Sequence, residues 1–336
     1  MPAVVPTSES SARSTLPLMA RRHPFVHFLH QAMEKHLQGR QVIGVSGGRD
    51  SLALLAAAVV LRDRGEGIEP IAVHVHHHLR EAADGEAAQV KAICGRLGVE
   101  FHCKDITPAA APGNCAANAR RMRYEALSQV AMECDAAAVI VAHHAQDQLE
   151  TMIAQLCRGA GLQGLGGMQA VTELPCGRVL LRPLLGADRS MLESFCTAAM
   201  LSWCDDATNE DPTTLRGWLR EKITGPLMER FPDAAKRAAG TARDLSGAAR
   251  QIAEAAEALG GGPTWSRPVL AAADPLIIAT AIRRCSVERA GSSDRLGRTA
   301  IESAVAAIID GCDRPREFDL GGGVSVAVEH DRVTVR

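Results

Sequence analysis

The stretch VIGVSGGRDSLALL, residues 42–55, is the most informative part of the sequence because a turn of small residues joins two apolar segments there. Residues 42–45 predict a buried strand, and residues 52–55 predict a helix that opens at the end of that strand. Free backbone N–H groups and the positive end of the helix dipole point at such a turn. The central SGGRDS therefore predicts an anion site. A simple turn capped by Asp50 or Ser51 would leave the same pattern.

Strands and helices alternate after this stretch, and the alternation predicts the fold class. Four more apolar segments predict strands: IEPIAVHVHHHL, VEFHCKDI, AAAVIVAHH and RVLLRPLL. Because these segments lack a polar face, we predict a Rossmann-like, parallel five-stranded sheet with helices on both faces. Ligands of such sheets bind beyond the carboxyl ends of the strands. SGGRDS, HHHLR and HHAQD follow the first, second and fourth strands and would meet there.

The composition changes near Asn209, which predicts a second domain. Residues 215–259 are helical in pattern and rich in alanine, GGGPTWSRP predicts a linker or loop, and the closing residues predict a hairpin or small sheet. The predicted organisation has three parts. These are a disordered tail over residues 1–20, an α/β domain over 21–208, and a smaller, mainly helical domain with a terminal β-hairpin over 209–336.

The overall composition is that of a soluble globular protein, with 46% hydrophobic and 23% charged residues among 336. A net charge of −2 does not favour a nucleic-acid partner, so any basic surface must be local. Residues 216–250 offer one, with eight Lys or Arg against four acids. The ten cysteines form no CxxC pair, which favours reduced thiols in the cytoplasm over disulfides or a zinc site. No apolar run reaches the length of a membrane span.

The phosphate-site hypothesis becomes specific at the turn itself. SGGRDS is neither a Walker A loop nor GxGxxG. It resembles the pyrophosphate loop of the ATP pyrophosphatase (PP-loop) superfamily, whose members have the adenine nucleotide alpha hydrolase-like fold and cleave ATP between its α and β phosphates. The resemblance implies ATP as substrate and Asp50 as the carboxylate beside Mg²⁺. The implied ATP-binding residues are Ser46, Gly47, Gly48, Arg49, Asp50, Ser51, Val75 and His76.

Six further motifs resemble those of the tRNA(Ile)-lysidine synthetase family. In chain order they are HVHHHLR (74–80), ARRMRY (119–124), AHHAQDQLET (142–151), RGAGLQGLGGM (158–168), LRPLL (181–185) and DDATNEDPTTLRGWLR (205–220). That family uses ATP and Mg²⁺ to attach lysine to the first anticodon cytidine of a CAU isoleucine tRNA. An adenylated cytidine is the intermediate, and AMP and pyrophosphate are released. The resemblance implies a ligase acting on tRNA, free lysine and ATP, and it suggests a homodimer.

The resemblance also implies roles for single residues. Asp147, at the end of the fourth predicted strand, and Glu150, on the same side of the following helix, would face lysine's amine or Mg²⁺. Arg120 and Arg123 lie one helical turn apart and suit a phosphate. The implied catalytic residues are Asp50, Asp147, Arg120 and Arg123. The implied tRNA contacts are Arg80, Arg216 and Arg220.

Three positions depart from the family pattern. His77 replaces an asparagine, Gln146 replaces the first of two successive acids, and Gly217 replaces an asparagine after Arg216. One acid in place of two leaves magnesium or lysine binding less supported. Two alternative functions stay open. One is a PP-loop tRNA thiolase, which would usually need cluster-binding cysteines. The other is a nucleotide- or RNA-binding homologue that has lost catalysis.

Simpler structural roles stay open for the same residues. Asp147 and Glu150 could only stabilise the start of a helix through its dipole. The arginines of ARRMRY could form a solvated helix face, and GAGLQGLGG could be a flexible loop without a ligand. Six histidines, at positions 74, 76, 77, 78, 143 and 144, could bind a metal ion. Adjacent strand residues point to opposite faces, however, so few of these side chains could meet on one ion.

Overall fold

The computed structural model describes residues 16–77, 82–108, 115–203, 214–260, 262–291 and 296–336. The chain divides into two compact units, Met1–Arg243 and Asp244–Arg336. Residues 214–243 therefore group with the first unit, whereas the sequence places a domain boundary at residues 208/209. No helix within the described ranges is long and apolar enough to cross a membrane.

The first unit is built from alternating strands and helices. Its elements are α1 (Leu18–Arg21), α2 (Pro24–Met33), β1 (Gly39–Gly44), α3 (Arg49–Asp63), β2 (Ile68–His76), α4 (Ala82–Leu97), β3 (Glu100–Asp105), α5 (Cys115–Glu133), β4 (Ala138–Ile140), α6 (Ala145–Cys157), α7 (Leu162–Leu165), β5 (Val171–Glu173), β6 (Val179–Leu181), α8 (Arg189–Ala198), α9 (Leu215–Leu219) and α10 (Gly225–Arg230). A π-helical turn, Arg220–Thr224, joins the last two helices. The long helix α11 (Ala234–Ala258) spans the division between the units.

The strands form one six-stranded sheet in the order β3-β2-β1-β4-β6-β5. The five predicted strands β1, β2, β3, β4 and β6 pair in parallel, which confirms the predicted fold class. The sixth strand, β5, pairs antiparallel to β6 at the edge and is absent from the sequence prediction. The strand order reverses between β1 and β4, which is the point where doubly wound sheets bind ligands.

The sheet is covered on both faces because successive strand residues point to opposite sides. Ile43 and Ile140 face the core formed with α2, α3, α4 and α8. Their neighbours Val42 and Val139 face the core formed with α5. Helix α3 is buried over almost its whole length, from Leu52 to Leu61. The turn that precedes α3 directly follows β1 and therefore lies at the switch point of the sheet, and the buried helix holds it there.

The predicted N-terminal tail is corrected where the structure describes it. Residues 1–15 lie outside the described residues, but Leu18–Arg21 form the short helix α1. Leu16 and Ala20 are buried in the first core. Apolar packing against α3 and α8 therefore orders residues 16–20, which the sequence assigns to a disordered segment.

The second unit packs three helices against a small sheet. Its elements after α11 are β7 (Thr264–Ser266), α12 (Arg267–Ala271), α13 (Pro275–Ala290), α14 (Arg298–Ile309), β8 (Arg316–Gly321), β9 (Val324–Val328) and β10 (Arg332–Val335). The sheet is antiparallel in the order β7-β10-β9-β8. The predicted terminal hairpin is therefore part of a larger sheet. The predicted linker supplies a strand of that sheet, since Trp265 pairs with Val333 and is buried.

A buried arginine closes this second core. Arg267 is 4% exposed, and its guanidinium donates to the carbonyl oxygens of Ala307 at 2.8 Å and Ile308 at 3.1 Å, at the end of α14. It also donates to the carbonyls of Cys312 at 2.8 Å and Glu329 at 3.2 Å. Since the last carbonyls of a helix have no partner within it, one side chain satisfies them and ties α14 to the sheet.

Candidate active site

The turn between β1 and α3 is held in shape by its two serines. Ser46 Oγ and Ser51 Oγ lie 3.2 Å apart, the Ser51 hydroxyl donates to the Gly48 carbonyl at 2.9 Å, and the Gly48 N–H donates to Ser46 Oγ at 3.3 Å. Gly47 has a φ of +92°, and a Cβ there would lie 3.3 Å from Val90 Cγ2. Glycine meets both conditions without strain.

Helix α3 begins at this turn without a side-chain cap. Gly48 occupies the N-cap position, and no side chain accepts from the first amides of the helix. The alternative of a turn capped by Asp50 or Ser51 is therefore not what the structure shows. The uncapped amides and the positive end of the α3 dipole leave the turn suited to an anion, as the sequence predicts.

Asp50 lies in the first turn of α3 between the guanidinium of Arg49 and the imidazole of His144. Arg49 Nε donates to Asp50 Oδ1 at 3.1 Å, and His144 Nε2 lies 3.4 Å from Asp50 Oδ2. Burial raises the pKa of Asp50, but the hydrogen bond and charge of His144, together with Arg49, outweigh it and lower the pKa below its ordinary value. Asp50 is therefore a carboxylate at neutral pH, at the mouth of the uncapped turn.

The second strand supplies buried histidines beside this turn. His74 Nδ1 lies 2.8 Å from the Val45 carbonyl oxygen at the end of β1, so the ring ties β2 to the turn. Burial lowers the pKa of His74, and the contact with Val45 opposes this only in part. Val75 and His76, the predicted ATP contacts, are 9% and 4% exposed. Their roles toward ATP stay predictions.

Helix α6 begins at the end of β4 with a reciprocal cap. His144 is the N-cap and its Nδ1 accepts from the Gln146 N–H at 3.2 Å. Asp147 Oδ2 accepts from the His144 N–H at 2.9 Å. Burial lowers the pKa of His144, but Asp147 and Asp50 together raise it above its ordinary value. One histidine therefore joins the cap of α6 to the carboxylate that follows β1.

Arg216 and Arg220 form ion pairs with the carboxylates of α6. Arg216 Nη2 donates to Asp147 Oδ1 at 2.7 Å, and Arg216 Nε donates to Glu150 Oε2 at 2.9 Å. Arg220 Nε donates to Glu150 Oε1 at 2.9 Å, and its Nη2 lies 3.7 Å from Asp147 Oδ1. Burial raises the pKa of Asp147, but His144 and Arg216 outweigh it and lower that pKa strongly. Asp147 therefore caps the helix and pairs with Arg216, and its role toward lysine or Mg²⁺ stays a prediction.

His143 precedes the N-cap of α6 and is close enough to Arg216, Asp147 and Arg120 for their charges to affect its pKa. Its Nδ1 is buried without a hydrogen-bond partner in the described part of the chain. Burial lowers the pKa of His143 to about 3, and the charges of Arg216, Arg182 and Arg120 add to this effect against that of Asp147. Arg120 therefore lies within electrostatic reach of the site. Its side chain is exposed and stacks over the Tyr124 ring at 5.2 Å.

A glutamine that sequence reasoning missed orders the glycine-rich segment. Gln148 Nε2 donates to the carbonyls of Gly166 at 3.1 Å and Met168 at 3.2 Å, and its Oε1 accepts from the Met168 N–H at 2.9 Å. Gly167 has a φ of +63°, and a Cβ there would lie 2.7 Å from Gln148 Nε2. GLGGM is therefore anchored to α6. A buried amide one residue after the acid of AHHAQD is the sequence signal that could have indicated this contact.

The remaining predicted residues lie at the edge of this site or outside the described residues. Arg80 lies outside the described residues, and Arg123 is exposed on α5. Gln146 is 5% exposed at the start of α6, so the acid at the departure is replaced by a buried amide. Gly217 is buried, and its N–H donates to Thr214 Oγ1 at 3.0 Å, which caps α9. Within the described ranges, no group of three close metal-ligating side chains includes the histidines of β2 or α6.

Comparison with known proteins shows which sequences this chain resembles. A sequence model of the PP-loop domain matches residues 22–227. The tRNA(Ile)-lysidine synthase of Pseudomonas aeruginosa is 38% identical over 219 residues, covering 65% of this chain and 48% of that protein. The one from Chromobacterium violaceum is 40% identical over 189 residues, covering 56% and 42%. The chain thus spans about half the length of the curated relatives it matches.

A solved structure shares the fold. The U34-tRNA thiolase NcsA from Methanococcus maripaludis, with its [4Fe-4S] cluster, superposes with a TM-score of 0.53 at 15% identity, covering 66% of this chain and 78% of that one. At this identity the likeness shows the fold alone. The PP-loop match covers more than half of the chain and includes the uncapped turn, Asp50 and the carboxylates of α6. The chain therefore belongs to the PP-loop domain family.

Proposed function

We propose that this protein is a tRNA(Ile)-lysidine synthase, which joins lysine to the first anticodon cytidine of a CAU isoleucine tRNA. The observation that carries the proposal is the meeting of an uncapped helix N-terminus after β1 with the carboxylates of Asp147 and Glu150 after β4. Curated relatives of that name at 36–40% identity support it. Cytoplasmic tRNA and free lysine are the proposed partners.

ATP is the proposed activating substrate at the turn of residues 46–51. The amides at the start of α3 and the hydroxyl of Ser46 face the position where phosphates would bind, which suits anionic oxygens. Arg120 and Arg123, on the exposed face of α5, would hold the phosphate nearest the acceptor base. Val75 and His76 would line the nucleoside side.

Mg²⁺ fits the donor set at Asp50. The pKa of that carboxyl is lowered, so Asp50 is a charged, hard oxygen donor where phosphates would gather, and its oxygens contact Arg49 and His144 in this structure. Asp50 would hold the ion, which when bound neutralises charge on the leaving pyrophosphate. His144, within 3.4 Å of Asp50, fixes the orientation of the carboxylate and hydrogen-bonds it from the α6 side.

Lysine is the proposed nucleophile-bearing substrate at Asp147 and Glu150. Adenylation of the cytosine carbonyl oxygen would make it a leaving group, and the side-chain amine of lysine would displace AMP. In the structure both carboxylates bind Arg216 and Arg220. Two buried carboxylates that already pair with cationic side chains supply the negative charge that would position the ammonium group of lysine at the site.

The tRNA is the proposed acceptor. Residues 216–250 carry the local excess of eight Lys or Arg over four acids, which favours a phosphate backbone. Arg80, Arg216 and Arg220 stay proposed contacts, although Arg216 and Arg220 are bound to carboxylates in the structure. A homodimer stays a proposal that rests on the family resemblance alone.

The test is lysine incorporation. Purified protein, ATP, Mg²⁺ and radiolabelled lysine are incubated with an unmodified CAU isoleucine tRNA transcript, and label is counted in acid-precipitated RNA. We expect ATP-dependent incorporation into this tRNA and none into the CAU methionine tRNA, the matched control.

Two results would contradict the proposal. Bound ATP without release of pyrophosphate would indicate a nucleotide- or RNA-binding protein that has lost catalysis. Pyrophosphate release with tRNA but without lysine incorporation would indicate another modification of an activated base, of which thiolation is the alternative to test.

A further inference from the structure

A second cluster of ionisable side chains lies at the opposite end of the sheet from the PP-loop. Glu100 begins β3 and His102 lies two residues further along the same strand. Cys134 follows the last residue of α5. Because alternate residues of a strand share a face, Glu100 and His102 project to the same side, toward the end of α5.

The three ligand atoms are close together. His102 Nε2 lies 2.8 Å from Glu100 Oε1, and Cys134 Sγ lies 3.8 Å from both atoms. Among the residues that the structure describes, these three form a group of potential metal ligands whose ligand atoms all lie within 4.8 Å of one another. All three residues are accessible, since Glu100 is exposed and the other two are half-buried.

The spacing matches tetrahedral zinc. Zn–N and Zn–O bonds of about 2.0 Å and a Zn–S bond of about 2.3 Å put nitrogen and oxygen about 3.3 Å apart and sulfur about 3.6 Å from each. The observed nitrogen–oxygen separation of 2.8 Å is about 0.5 Å shorter than this, and the two sulfur separations of 3.8 Å are about 0.2 Å longer. One imidazole, one carboxylate and one thiol form a mixed donor set that suits Zn²⁺ better than Mg²⁺ or Ca²⁺.

Neighbouring charges orient these ligands without blocking them. Arg40, at the start of β1, donates to Glu100 Oε2 and leaves Oε1 toward His102 and Cys134. Lys104 Nζ pairs with Glu133 Oε2 at 3.2 Å beside the cluster. Such outer contacts fix the ligand orientation in metal sites. Burial and the nearby Glu100 raise the pKa of Cys134, so its thiol is protonated at neutral pH and would lose that proton to a bound metal ion.

We propose that Glu100, His102 and Cys134 bind one Zn²⁺ ion at the amino-terminal edge of the sheet, with the remaining coordination position open to water. The ion would join β3 to the end of α5, the helix that carries Arg120 and Arg123. The ion would take no direct part in the chemistry at the PP-loop, because it lies at the opposite strand ends from Asp50 and Asp147.

The experiment is a zinc titration of the full chain after removal of metal with EDTA and dialysis. Competition with a chromophoric chelator gives stoichiometry and Kd, and Co²⁺ in place of Zn²⁺ reports sulfur ligation by its thiolate-to-metal charge-transfer band. We expect one tightly bound ion per chain. Cys134→Ser should abolish the charge-transfer band, and Cys134→Ser and His102→Gln should each weaken binding at least about tenfold.

The matched control is Cys103→Ser. Cys103 is an exposed thiol on the same strand, and its position in β3 directs it to the opposite face. This variant should bind zinc as the wild type does. Absence of zinc binding, binding unchanged in Cys134→Ser, or an equal loss in Cys103→Ser would each overturn the proposal.

Discussion

His144 Nε2 lies 3.4 Å from Asp50 Oδ2, and this contact joins the residues that follow two adjacent strands of the sheet. Asp50 follows β1 and His144 follows β4, and these strands pair in parallel at the switch point. His144 also caps α6, whose Asp147 carries the neighbouring charge. The proposed ATP and lysine sites are therefore linked through one imidazole.

Substitution of Asp50 tests the proposed phosphate side of the site. Asp50→Ala should reduce ATP-dependent pyrophosphate release at least about 10²-fold, because the carboxylate meant for the leaving-group charge is lost. The fold should persist, since the Asp50 side chain is 27% exposed and the apolar side chains that bury α3 run from Leu52 to Leu61. Pyrophosphate release and far-UV circular dichroism measure the two effects.

Glu193→Ala is the control for Asp50→Ala. Glu193 is 58% exposed and reaches Arg49 at 3.8 Å from outside the turn. Its removal should leave pyrophosphate release unchanged. Normal turnover by Asp50→Ala would contradict the assignment of the loop.

Glu150→Gln should destabilise the first unit. The Glu150 side chain is 2% exposed and accepts from Arg216 and Arg220. We expect a loss of about 1–3 kcal/mol in the free energy of unfolding, less than for a fully buried pair because the two arginines are 45% and 25% exposed. Urea unfolding measures the change. Glu221 is an exposed carboxylate paired with Lys222, so Glu221→Gln should change the free energy of unfolding by no more than about 0.5 kcal/mol. Equal effects of the two substitutions would contradict a stabilising role of the buried cluster.

His143 should make stability depend on pH on the acid side. Its pKa is about 3 in the folded protein against an ordinary value of 6.5 for histidine, so between these pH values the unfolded chain binds more protons. Stability is therefore fully present above pH 6.5 and decreases as the pH falls, by up to about 1.4 kcal/mol per pH unit. Because the pKa of His144 is raised, this residue changes the stability only above pH 6.5, outside the interval in which His143 has its effect.

The measurement for His143 is the difference in unfolding free energy between pH 6.5 and pH 5. Between these two pH values, the unfolding free energy of His143→Gln should decrease by about 2 kcal/mol less than that of the wild type. His27→Gln, at an exposed position on α2, should keep the dependence of the wild type. A wild-type slope retained in His143→Gln would show that another group causes it.

Arg267→Leu should destabilise the second unit by about 3–5 kcal/mol. The substitution leaves the carbonyls of Ala307, Ile308, Cys312 and Glu329 without their buried donor. Proteolysis within residues 244–336 and the second unfolding transition report the effect. Arg298→Leu removes an exposed arginine of α14 paired with Glu302 and should change stability by about 0.5 kcal/mol or less. Similar protease resistance of both variants would be the contrary result.

Gln148→Leu should release the glycine-rich segment from α6. The buried amide bonds to Gly166 and Met168, and leucine would leave those backbone groups unpaired at a cost of about 1–3 kcal/mol. Hydrogen exchange of the Met168 amide should accelerate, whereas Gln155→Leu, a partly exposed glutamine on the same helix, should leave it unchanged. Unchanged Met168 exchange in Gln148→Leu would refute the anchoring role.

The parallel sheet and the small-residue turn after β1 can be predicted from the sequence alone, because both depend on residues that are neighbours in the chain. Apolar runs without a polar face predict buried parallel strands, and small residues between such a run and a helix predict an uncapped N-terminus. β5 was missed because VTE is short and largely exposed at the sheet edge. β7 was missed because Gly and Pro near TWS are typical of a loop, and only pairing with β10 makes it a strand.

Tertiary structure alone decided which charges meet. Arg216 and Glu150 are 66 residues apart in sequence, and Arg220 and Glu150 are 70 apart, yet their side chains lie 2.9 Å from each other. Residues 216 and 220 carry no local signal for these partners, since ion pairing depends on how α6 and α9 pack. The same holds for Arg267 and the end of α14. Local sequence encodes propensity and periodicity, whereas contacts between distant residues exist only once the chain has closed around its cores.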